Sequence, residues 1–148
     1  MAAEDVRQAL QGVLLADATL ATLGLGTYGG GLAVFAQERV PEDAPLPYVN
    51  VAGLIAGTDF DTKSRPGAEE FYDVVIADRR DINTPPIRIT RLARRVREVL
   101  HRCRLEVEGM NVIRVRALPP IEQDSTTNIA ARVVSVGVLY QGASRVWP

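Results

Sequence analysis

The chain holds one imidazole, His101, and one thiol, Cys103. A histidine close to a cysteine can deprotonate it and make a nucleophile. The helical spacing around these two residues argues against that pairing. Cys103 continues the apolar arc Ile89, Leu92, Val96, Val99 and Leu100, whereas His101 falls on the opposite side beside Arg97, Arg102 and Arg104. The expected role of His101 is that of a surface histidine near a helix C-terminus, where the dipole favours its charge. One cysteine and one histidine also exclude an intramolecular disulfide and any metal site built from Cys and His clusters.

Two acidic pairs, Asp59 with Asp61 and Glu69 with Glu70, are the remaining candidates for acid–base or metal chemistry. Both sit in or beside a polar stretch, where solvated carboxylates are the ordinary outcome, and no further oxygen ligands follow at calcium-loop spacing. Residues 24–29 read Gly-Leu-Gly-Thr-Tyr-Gly, a letter match to the dinucleotide fingerprint. That motif works only after a strand and at the opening of a helix, so that the helix N-terminus meets the pyrophosphate. Here the order is reversed, and the segment is expected to be a helix stop followed by a flexible loop. No catalytic residue, metal or cofactor is expected, and the chain is not expected to be an enzyme.

The charge pattern carries more. Between residues 79 and 104 there are nine arginines against Asp81 and Glu98, while residues 38–73 hold eight acids against Arg39, Lys63 and Arg65. A formal net charge of -1 thus conceals two opposed segments. They can pair within one molecule or across two copies, which gives complementary faces for self-association. The arginine-rich helix is accordingly read in three ways: an interface to the acidic segment of a neighbour, a solvated face, or a phosphate-contacting surface. The absence of interleaved aromatics weighs against a base-stacking platform.

These residues need elements to hold them. Val6, Ala9, Leu10, Val13 and Leu14 predict a helix over 4–16, within which Gly12 implies close packing or a cost of about 1 kcal/mol. Asp17 is placed to cap a short turn over 18–23. A short strand is expected over 33–37, and prolines 41, 45 and 47 then lead into an alternating strand over 48–56 with Val49, Val51 and Ile55 on one face. Residues 57–69 are expected to form a long polar loop, 70–78 a strand, and 86–103 the second main helix. Strands over 110–118, with Ile113, Val115 and Ala117 on one side, and over 129–141 complete the chain, joined by a loop over 119–128. The predicted fold class is α+β: a mostly antiparallel sheet of four to five strands with two main helices packed on one face.

At 148 residues, 47% hydrophobic and 24% charged, the chain matches a single globular domain spanning 1–148. No apolar run approaches the roughly 20 residues that cross a bilayer, and the acids after Met1 do not suit a signal peptide. A protein folded in cytoplasm is expected.

One resemblance goes further. The helix running into Leu14-Leu-Ala-Asp-Ala-Thr-Leu-Ala-Thr-Leu23, the Gly-rich break, the approach Pro45-Leu-Pro-Tyr-Val49, the strand ending at Ala77, the helix Arg91-Leu-Ala-Arg-Arg-Val-Arg-Glu-Val-Leu100 and the strand pair closing near Tyr140 together resemble the phage tail-terminator or tail-completion family. The resemblance implies a virion protein that forms a ring, usually six-fold, at the head-proximal end of the tail. There it stops tube polymerisation and joins the tail to the head connector. It implies self-association, a tail tube protein and a head connector as partners, DNA only passing through the lumen, and no membrane. Another neck or head–tail connector component, or a small nucleic-acid-binding domain, are the alternatives. A subunit of this length is about 38 Å across, so six in contact leave a hole wide enough for duplex DNA of roughly 20 Å. In that reading Arg91, Arg94, Arg95, Arg102, Glu69 and Glu70 are the subunit-interface candidates. Asp59, Phe60, Asp61, Lys63, Arg65, Glu122 and Asp124, in the two long loops, are the candidates for docking on tube or connector.

Overall fold

Apolar residues at helical spacing near the N-terminus build α1, Ala2–Leu15, whose Val6, Leu10 and Leu14 are fully buried. The structure is a computed structural model and describes residues 2–61, 66–80, 85–123 and 128–141. Gly12 faces open space, with nothing within 4 Å of where a Cβ would lie, so no close packing explains it. A short helix α2, Ala18–Thr22, follows and buries Leu20. Asp17 stands at the N-cap position; its carboxylate is held by Arg95 and favoured by the nearby amides of Thr19 and Leu20, although no side-chain capping bond of full hydrogen-bond geometry forms.

The glycine-rich segment is ordered. Thr27–Tyr28 (β1) and Gly31–Leu32 (β2) pair antiparallel around Gly29-Gly30, whose φ values of 60° and 84° are those of a two-residue type I′ hairpin. The expected flexible loop is therefore a small hairpin.

The main sheet has six strands: Val34–Phe35 (β3), Tyr48–Asp61 (β4), Pro66–Arg79 (β5), Asn111–Ala117 (β6), Ile121–Gln123 (β7) and Ile129–Gln141 (β8). The order is β3-β4-β5-β8-β6, with β7 also on β8, and every pairing is antiparallel except β3 with β4. The expected loop over 57–69 is mostly strand. Gly57 to Asp61 pair residue by residue with Glu70 to Pro66, and β5 pairs with β8 along its whole length from Gly67 to Arg79. The loop over 119–128 is shortened in the same way by β7. These polar stretches have weak intrinsic strand preference. The neighbouring strand supplies the ladder that settles them.

Helix α3, Ile87–Leu100, lies over β5, β8 and β6, while α1 lies over β3 and β4. Both helices cover one face, as predicted. Ile89, Leu92, Ala93, Val96 and Leu100 from α3 meet Tyr72, Val74 and Ile76 of β5 and Val134, Val136, Val138 and Tyr140 of β8 in one core. Each large aliphatic side chain so buried contributes about 1.5–3 kcal/mol. The helix ends three residues before the predicted Cys103. Arg102 adopts a left-handed φ of 61° and its N–H turns back to Val115 O at 2.8 Å. In β6, a register shift between Val112 and Arg114 leaves Ile113 51% exposed, so it does not share the inner face with Val115 and Ala117. The side chain of Ile55 lies outside the described residues.

Candidate functional site

The arginine helix divides its charges between two tasks. Arg95 grips Asp17 bidentately, Nε to Oδ2 at 3.0 Å and Nη2 to Oδ1 at 2.7 Å, and lies 3.6 Å from Glu98. These bonds are the main reason that the Asp17 carboxyl ionises below its ordinary value of 3.8; burial opposes them, and the amide groups of Leu20 and Thr19 reinforce them. Arg88 grips Asp78 in the same manner, at 2.8 and 2.7 Å, with Asp78 buried. Arg97 donates from Nε to Ala117 O at 3.1 Å. These three arginines fasten α3 to the rest of the subunit.

Arg91 and Arg94 perform no such task. Both are exposed on the outer side of α3, beside Pro86, Ile87 and Thr90, with Ile87 52% exposed. Arg102 is also exposed, just past the helix end. Of the four arginines proposed for a subunit interface, Arg91, Arg94 and Arg102 thus remain available, and Arg95 is corrected to an internal anchor.

The acidic candidates are rearranged more strongly. Glu69 and Glu70 are neighbours in β5, on opposite faces of the sheet, and therefore form no carboxylate pair. Glu69 accepts from Arg114 Nη2 at 3.4 Å, which is an internal bond across the outer face. Glu70 is buried on the helix side, and its Oε1 has no hydrogen-bond partner. Neither is a solvated loop acid. Asp59, Phe60 and Asp61 belong to β4, opposite Ala68, Gly67 and Pro66, so they are strand residues and not free docking loop; their side chains are outside the described residues. Lys63, Arg65 and Asp124 also fall outside them. Glu122 is exposed in β7, 3.7 Å from Arg132.

His101 is not the solvated, charged residue that the sequence suggests. Its Nδ1 accepts the N–H of Ala117 at 3.1 Å, so the ring closes the β6 edge in its neutral form. Burial lowers its pKa below 6.5, and Arg97, Arg102 and Arg116 lower it further. Cys103 is half-buried, and burial raises its thiol pKa. Among the described residues no group of three or more His, Cys, Asp or Glu side chains could hold a metal ion.

Two features had no sequence signal. A cleft of 740 Å³ opens where α2, the start of α3 and the end of β5 meet, with Arg79, Arg80, Arg91 and Arg132 around an apolar floor that includes Leu23 and Ile89. A groove of 590 Å³ runs beside β6, between Cys103–Glu108 and Asn111–Val115. The face of the sheet opposite the helices carries Phe71, Val75, Val133 and Leu139, with Ser135 donating to Asp73 at 3.1 Å between them. Phe71 lies across Gly137 so closely that a Cβ there would come within 2.7 Å of its ring.

No family model matches the chain, and no curated protein matches it. Among solved structures, a chain of the "Virion of native gene transfer agent (GTA) particle" superposes with a TM-score of 0.77 at 20% identity, covering 95% of this chain and 98% of that one. That likeness establishes a shared fold from end to end.

Proposed function

We propose that this protein is a structural subunit of a phage-like particle. In this reading it forms a ring on the head-proximal end of the tail, ends polymerisation of the tube and joins the tail to the head connector. The observation that carries the virion role is the fold likeness to a virion chain over nearly the whole length of both. The ring rests on the resemblance in sequence and on the unspent charges. Arg91, Arg94 and Arg102 face outward, while Glu38, Glu42 and Asp43 stay exposed on another part of the subunit. Complementary patches on one molecule suit contact between copies. The reading includes no catalysis and no cofactor.

The cleft ringed by arginines supports a second reading, a surface for nucleic-acid phosphates. Binding of duplex DNA that weakens steeply with salt would favour it. The primary reading is tested by removing the protein from a particle that contains it. The result expected is tails of uncontrolled length, separated from filled heads; tails of normal length joined to heads would overturn it.

A further inference from the structure

The two margins of the main sheet are treated very differently. At the β6 margin, the end of α3 covers the backbone: His101 Nδ1 and Arg97 Nε take the N–H and C=O of Ala117, and the Arg102 N–H takes Val115 O. Covering of this kind prevents stray strand pairing. Further along, at Asn111–Val115, cover gives way to the 590 Å³ groove, into which Ile113 and Met110 contribute apolar surface.

At the β4 margin the cover runs out earlier. Val49 donates to Ala33 O at 2.9 Å, the Asn50 side chain bonds both backbone groups of Gln37, and Arg7 Nε donates to Val51 O at 3.3 Å. Beyond that point no described strand pairs with the outer side of β4, from residue 52 to residue 61. Ten residues of strand amount to about 33 Å of edge with no described strand partner. Arg7, only 7% exposed, stands where this open stretch begins, and its Nη2 is buried without an acceptor. A buried guanidinium N–H left in that state costs stability, and it marks where the cover of this margin ends.

We propose that the open edge of β4, residues 52–61, pairs with the groove-side edge of β6 in a second copy of this chain. This deepens the ring reading and rests on it. The two margins are opposite ends of one sheet, so the contact is directional: each copy offers one edge and receives another. Such a contact closes into a ring or continues as a filament. The chemistry of the strands agrees. Residues 52–61 contain Asp59 and Asp61 and no cation, whereas β6 contains Arg116 and Arg114, the latter already bonded to Glu69, and no acid, and opposite charges on adjoining strands are favourable. The far wall of the groove adds Arg104, Glu106 and Glu108, which together leave it near neutral.

Cys103 lines the groove and supplies the native half of a test. The full-length variants Ala52→Cys and Thr58→Cys, each checked for an unchanged melting midpoint, are treated with a short bismaleimide, and their native masses are measured in parallel. The proposal predicts a covalent ladder through dimer, trimer and higher species, abolished when Cys103→Ser is added. Products that stop at a dimer and persist with Cys103→Ser would indicate a two-fold β4 contact and overturn it. Oligomers by native mass with no ladder from either variant would also overturn it, while leaving the ring. Monomers without any ladder, at millimolar protein, would remove both.

Discussion

At the scale of residues, the arginines of α3 separate into those already bound and those left over, and substitutions should separate them too. Arg88 neutralises the buried Asp78 carboxylate. Arg88→Ala leaves that charge unpaired and is expected to cost about 2–3 kcal/mol, below the range of about 3–5 kcal/mol for a fully buried pair because Arg88 itself is half exposed. Arg91→Ala and Arg94→Ala should each stay within about 0.5 kcal/mol. Chemical denaturation of the three variants checks the ranking. Asp17 provides a pH signature. Its folded pKa lies below 3.8, chiefly through the Arg95 hydrogen bonds, so its contribution is complete above that value and disappears as pH falls through the lowered one. Asp17→Asn should therefore lower the melting midpoint at neutral pH and flatten its decline at the acid end. A variant that tracks the parent curve in parallel would remove this assignment. Neither pairing was legible in the sequence. Asp17 and Arg95 are 78 residues apart, and nothing local selects one arginine of α3 for that bond.

At the scale of elements, the helices and the inner faces of the long strands were legible, because their apolar residues recur at 3.6 and 2 residues and nothing competes with that signal. Val6, Leu10 and Leu14 and the alternation Val134, Val136, Val138, Tyr140 are buried where the spacing puts them. The extension of β4 and β5 through Asp61 and Pro66 was not legible, since Gly57, Asp59 and Gly67 are poor strand formers, and the ladder that fixes this hairpin includes β8, which lies far along the chain. The bulge that turns Ile113 outward left no trace either. The Gly29-Gly30 turn did leave one, a glycine pair able to take positive φ twice, which was read as looseness although it is a hairpin signal. Gly12 gives a prediction at this scale. It sits exposed inside α1 with open space above it, so Gly12→Ala should stabilise the protein by about 0.5–1 kcal/mol, read as a higher denaturation midpoint. A lower midpoint would mean that the position contacts something in the subunit that its surroundings do not reveal.

At the scale of the whole molecule, the sequence indicated an α+β fold with a mostly antiparallel sheet, and the strand order agrees with it; its opposed charges could pair within one subunit or between two, and part of them pair within. The candidate site was legible only in part. The outward arginines Arg91 and Arg94 were identified, but which strand margins lack a partner was not, because an open edge is a property of strand order and not of residue type. In the proposed ring, function resides in surfaces shared between copies: the outward Arg91 and Arg94, the exposed Glu38 and Glu42, and the two margins of the sheet. Native mass spectrometry of the full chain across a range of concentrations tests that claim most directly. One dominant closed species is expected, six times the 16.1 kDa subunit mass, that falls apart when Arg91→Glu and Arg94→Glu are combined. A chain that remains a 16.1 kDa monomer up to millimolar concentration would contradict it.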